Sequence, residues 1–206
     1  MAAVTAVLVA GIFFWTGQAK KKRIAALRAL CVQRGWAYHH DSGPLHHGHR
    51  IEGDGWVFEA VSRSSGHESA PGSSSWGHSS RWTAMNADAG RSTCILGSRL
   101  GGMLDISRMP PRLLARFLGE EVADFRVFTA GERLDSRFVL FAREKPPAMG
   151  LFPPRAEELL MGWPARLPLV MHSSPARLSL TLANQRLEKP EDVARFIELA
   201  ESLFNR

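Results

Sequence analysis

The sequence predicts an α+β protein: an N-terminal transmembrane helix, then a mostly antiparallel sheet domain packed by a C-terminal amphipathic helix. Three observations carry this. Ala2 to Ala19 is free of charged residues, and Lys20, Lys21, Lys22 and Arg23 follow it at once. From Trp36 onward, short apolar runs alternate with a period of two and are separated by Gly, Pro and Ser, as antiparallel strands require. From Pro190 the period becomes helical, with Val193, Phe196, Ile197, Ala200, Leu203 and Phe204 on one stripe. Regular βαβ alternation and a glycine fingerprint for nucleotides are both missing from the sequence.

The first segment reads as an anchor. About 18 helical residues at ~1.5 Å each span about 27 Å, close to the hydrocarbon thickness of a bilayer. Phe13, Phe14 and Trp15 are the candidate lipid-facing residues, with the Trp15 ring suited to the interface. Lys20, Lys21, Lys22 and Arg23 would meet the head groups. A cleaved signal peptide would carry its positive charge before the apolar core, whereas here the charge comes after it. Positive charge stays in the cytoplasm, so the expected location is the cell inner membrane, single-pass, with the N-terminus outside and the C-terminal domain cytoplasmic. Residues 20–35 form a basic juxtamembrane helix with Ile24, Leu27, Leu30 and Cys31 at helical spacing and Gly35 as its stop. It either continues the anchor or lies along the membrane after a break. The chain therefore divides into 1–19 (anchor), 20–35 (basic helix) and 36–206 (α+β domain).

Within the domain, strands are expected from Trp36 to Tyr38 and from His49 to Ile51. Another runs from Trp56 to Val61 after an Asp54-Gly55 turn. Residues 62–80 are rich in Ser and Gly and read as a long loop. Arg81 to Ala87 and Ser92 to Ser98 are expected to form a hairpin, and Pro110 to Gly119 a helix. Strands follow at Phe125 to Thr129 and at Arg137 to Ala142, the latter apolar on both faces and therefore buried. A short helix spans Arg155 to Met161. Leu167 to Met171 and Leu178 to Leu182 alternate as strands before the last helix.

The formal charge of +6 raises nucleic acid as a partner. The arginines are scattered, however, and the dense basic run adjoins the anchor, so membrane is the partner the charge pattern favours and nucleic acid is disfavoured. Cys31 and Cys94 show no metal-ligand or disulfide-framework spacing.

No nucleophile elbow, HExxH or phosphate-loop motif occurs, so no catalytic residue and no cofactor is assigned. The chemically suggestive cluster runs from His39 to His49. Imidazoles are common metal ligands, which makes His46, His47 and His49 the candidate metal set, although their spacing matches no established site. On a strand, His47 and His49 share a face and His46 lies on the other. The competing reading is a solvated, histidine-rich hairpin. Trp76 and Trp82 are the candidate contacts for a protein partner, at the end of the 62–80 loop.

The basic helix ending in Arg34-Gly35-Trp36, the Ile51-Glu52-Gly53…Trp56 hairpin, and a strand at Leu178 to Leu182 followed by the Val193 to Phe204 helix together resemble uncharacterised bacterial single-pass inner-membrane proteins. The resemblance implies a bacterial inner-membrane setting and carries no activity. The functional expectation is a membrane-anchored cytosolic interaction module that binds a protein partner or the inner membrane face. A metal protein or enzyme built on the histidines, and an anionic-lipid sensor, are the alternatives.

Overall fold

The computed structural model describes residues 2–43, 46–63, 77–85, 93–99, 125–144, 152–183 and 185–204, without the side chains of 2–17, 46, 63 and 183. The chain is α+β: nine described strands form one antiparallel sheet, with helices at both ends of the chain.

Helix α1 runs unbroken from Ala2–Arg34, through the basic run. It ends in a Schellman motif. Gly35 takes φ 71, the Trp36 N–H donates to the Cys31 carbonyl at 2.8 Å, and the Gly35 N–H donates to Val32 at 3.2 Å. Glycine adopts this left-handed backbone without the Cβ clash other residues meet. The C-terminal half of α1 belongs to the domain, because Leu27 and Cys31 are buried in its core. Among the described residues, no helix is long and apolar enough to cross a membrane. The side chains of Phe13, Phe14 and Trp15, on which the anchor expectation rests, lie outside the described residues.

Strands β1 (Ala37–Ser42), β2 (His46–Gly53), β3 (Trp56–Arg63) and β4 (His78–Met85) form a meander. Gly55, at φ 74, makes the β2–β3 turn that Asp54-Gly55 predicts. Gly53 has a different role. A Cβ there would lie 2.3 Å from the Trp56 ring, and that ring is only 5 % exposed. We expect Gly53→Ala to cost about 1–3 kcal/mol by displacing the indole, checked by urea unfolding followed by circular dichroism. Unchanged stability would mean that the ring can reorient freely.

After β4 the order departs from the local reading. β5 (Cys94–Ser98) pairs with β7 (Phe138–Ala142) and β8 (Leu169–Ser173), while β4 pairs with β9 (Arg177–Ala183). The expected β4–β5 hairpin is therefore wrong: the β8–β9 hairpin sits between those two strands. Alternation reveals a strand but not its partner, and a later pair of strands with a cleaner apolar face took the position beside β4. β6 (Arg126–Phe128) closes the far edge against β7. β7 is buried on both faces, as its continuous apolar run predicts. Both ends of the expected 62–80 loop are strand, since β3 extends through Arg63 and β4 begins at His78; residues 64–76 lie outside the described residues. The expected helix at 110–119 lies outside the described residues.

Helix α2 (Pro154–Met161) packs beside helix α3 (Pro190–Phe204), which crosses the sheet over β4 and β9. Glu191 and Asp192 occupy the first turn of α3, where the helix dipole favours them. Phe196 lies against Phe58 and Trp163, with ring centroids 5.7 and 5.8 Å away. Leu199, outside the predicted stripe, is also buried, on the helix that α2 packs against.

Candidate functional site

A cavity of about 310 Å³ opens where the middle of α1, the β1–β2 hairpin and residues 185–188 meet. Lys20, Arg23, Ile24 and Leu27 line it from α1. Their spacing of three, four and seven residues places them on one helix face. The hairpin contributes Tyr38 and His40 from β1 and His47 and His49 from β2. Strand periodicity puts each pair on one face, and the register seats His40 opposite His49. Arg186 and Glu188 form the third wall.

That third wall is held from the sheet. The buried Ser80 hydroxyl accepts the Leu187 N–H at 2.8 Å and donates to the Gln185 carbonyl at 3.0 Å. The Leu187 side chain is itself buried, so the segment is pinned on both sides of Arg186. The Arg186 guanidinium donates to the Ser62 hydroxyl at 3.2 Å, and that hydroxyl also bonds His78 Nδ1 at 2.8 Å. Two contacts place Tyr38: the Arg28 guanidinium lies 5.9 Å from its ring centroid, and His49 is stacked with it at 6.2 Å between centroids.

The cavity is cationic. The Arg186 side chain is only 9 % exposed and lies 3.4 Å from Glu188, which also pairs with Arg23 at 2.7 Å. One carboxylate is thus shared by two guanidinium groups, and Lys20 adds a third cation to the lining. Burial lowers the Arg186 pKa, opposed by Glu188, yet a guanidinium starts so high that it stays charged. Burial first, then Arg186, pushes His49 down to about 4, with Glu188 acting in the opposite sense. His47 is lowered for the same leading reasons, and burial raises the Tyr38 phenol. At neutral pH, His49 is therefore an uncharged imidazole able to donate from one nitrogen and accept at the other.

Four of the lining residues carry a buried polar atom without a hydrogen-bond partner among the described residues: Tyr38 Oη, His40 Nδ1, His49 Nε2 and Arg186 Nε. Buried polar groups are usually satisfied, because leaving one bare costs about 1–3 kcal/mol. Four around one cavity form a concentration of unmet hydrogen-bonding capacity.

The residues expected from sequence distribute unevenly. His47 and His49 share a face as predicted and both reach the cavity, as do Lys20 and Arg23. Lys21 and Lys22 are exposed outside it. The side chain of His46 lies outside the described residues, as does Trp76. The metal set of His46, His47 and His49 is not tested as a set, because the His46 side chain lies outside the described residues; among the described residues, no three His, Cys, Asp or Glu side chains are grouped to hold an ion. Trp82 requires a correction. It is fully buried, 6.0 Å from Trp56 and 5.9 Å from Phe204, and is a core residue with no surface to offer a partner. Its strand alternates so that Trp82 faces α3 and Arg81 faces outward.

Sequence reasoning missed Tyr38, Arg186 and Glu188, and noted His40 only as part of the histidine cluster. Nothing local marks Arg186 or Glu188, which reach the cavity through the pairing of β9 with β4. No known protein family, curated protein or solved structure matches this chain.

Proposed function

We propose that this chain is a membrane-anchored cytosolic module that holds its α+β domain against the inner membrane face, with the N-terminus outside and residues 1–19 spanning the bilayer. The observation that carries the reading is the position of the domain along α1. The helix is continuous from Ala2–Arg34, and the domain packs beside it as far as Leu27, with its cavity reaching Lys20 and Ala19. Leu27 lies about 10 Å along the helix from Lys20 at ~1.5 Å per residue. The domain is therefore drawn up beside the basic run, with no linker to hold it away. If the basic run meets the head groups, the cavity opens at their level. The domain face around α1 is then the surface available to lipid or to a membrane-bound partner, and tethering raises the effective concentration of any such contact.

The test is fractionation of the full chain in bacterial cells, combined with thiol labelling. The full chain is expected to stay in the membrane fraction through an alkaline carbonate wash, whereas residues 20–206 are released. Cys31 and Cys94 are both buried, and burial pushes the Cys31 thiol up to about 11. Labelling therefore needs denaturation, and an impermeant reagent should reach either thiol only after permeabilisation. Release of the full chain by carbonate would reject the anchor, and labelling in intact cells would reverse the topology.

A further inference from the structure

We infer that the cavity between α1, the first hairpin and residues 185–188 binds a phosphate group, supplied by an anionic lipid headgroup beside the anchor. The inference rests on the membrane-anchored reading and adds the ligand and the residues that would hold it.

The chemistry comes first. A phosphate oxygen accepts hydrogen bonds and carries negative charge, so its site needs donors and cations held out of water. Arg186 supplies both: its side chain is nine-tenths buried, its Nε has no partner among the described residues, and a guanidinium matches phosphate geometry. A buried, incompletely bonded guanidinium costs stability unless something anionic completes its shell. Glu188 does so only in part, because Arg23 lies closer to it than Arg186 does. The Tyr38 hydroxyl and the neutral His49 imidazole add hydrogen-bonding groups to the cavity, as does His40 Nδ1. A neutral imidazole can donate to a phosphate oxygen or accept from a headgroup hydroxyl. Lys20 adds a flexible charge at the rim.

Position then decides the source. Ala19 and Lys20, the last residue of the uncharged run and the first of the basic run, form part of the lining. A lipid in the leaflet around α1 would have its phosphate at this height, with its acyl chains left in the bilayer. Soluble phosphate compounds share the chemistry but have no reason to use an opening at the anchor. At about 310 Å³, the cavity matches the lower end of small-ligand sites and suits a headgroup without its chains.

The test uses the full chain in a neutral detergent, titrated calorimetrically with short-chain phosphatidic acid, short-chain phosphatidylcholine and glycerophosphate. Saturable binding of phosphatidic acid is expected, with phosphatidylcholine and glycerophosphate at least ~10-fold weaker. Arg186→Gln should weaken binding by ~10–100-fold, the range for one hydrogen bond to a charged group. Tyr38→Phe, which removes only the hydroxyl, should weaken it by ~2–10-fold, and Lys20→Gln changes an exposed helix position that the fold does not need. These two variants keep the test decisive if Arg186→Gln fails to fold. Equal binding of glycerophosphate and phosphatidic acid would retain the phosphate site and overturn the lipid source. Binding that is absent, or unchanged in all three variants, would overturn the site. Carbonate resistance of the same full chain reports on the anchor separately, so either reading can fail without the other.

Discussion

Replacing Trp82 with alanine is expected to destabilise the domain by about 3–5 kcal/mol, the range for truncating a large buried aromatic. Trp82 is fully buried in β4, between Trp56 on β3 and Phe204 on α3, with ring centroids at 6.0 and 5.9 Å. Removing the indole leaves a cavity where the sheet meets its covering helix, and the flanking rings belong to separate elements that cannot all close on it. Its indole N–H has no partner among the described residues, so removing that bare donor offsets part of the lost contacts and places the effect toward the lower end of the range. Urea unfolding of the full chain in neutral detergent, followed by circular dichroism, measures the effect. A variant as stable as the parent would show that Trp82 is not in the core, and would restore the surface-contact reading that its burial overturns.

The second large effect depends on pH. His49 is 4 % exposed and its pKa is pushed down to about 4, first by burial and then by Arg186. His40 acts in the same sense, while Glu188 opposes them. In the unfolded chain, a histidine titrates near ~6.5. The unfolded state therefore binds the proton more readily, and stability falls as pH drops. The contribution is complete above pH ~6.5, declines as pH falls toward ~4, and amounts to about 3 kcal/mol in all. His49→Gln removes the titration. The parent should therefore lose about 3 kcal/mol more than the variant between pH 7 and pH 4, a difference that cancels the carboxylates common to both. Equal losses would mean that His49 is not held neutral in the folded state.

These two residues mark where local reading stops. The strand carrying Trp82 was legible from its alternation, whereas Trp82 itself read as a surface contact. That Trp82 faces α3 depends on register with β3 and β9, which no local pattern encodes. The same holds for His49. Its shared face with His47 follows from the period of two, but its surroundings come from Arg186, more than a hundred residues later, held by the Ser80 hydroxyl. Ser80 itself read as loop, because serine carries no strand signal of its own and only the pairing with Leu182 makes it a sheet residue.

The individual elements follow from residues a few positions apart. Gly35 ends the first helix, Asp54-Gly55 turns the hairpin, and the apolar run at 138–142 is buried on both faces. Pro190 opens the last helix with acids in its first turn. Each rests on steric, capping or solvation effects that act within a few residues. Tertiary structure alone decided which strands are neighbours, placing the β8–β9 hairpin between β4 and β5. It also decided that α1 is both a wall of the cavity and part of the core, and that Arg186 meets the histidines. Those outcomes follow from burying one continuous apolar face at the least cost in unpaired backbone, a condition on the whole chain that no window of it contains.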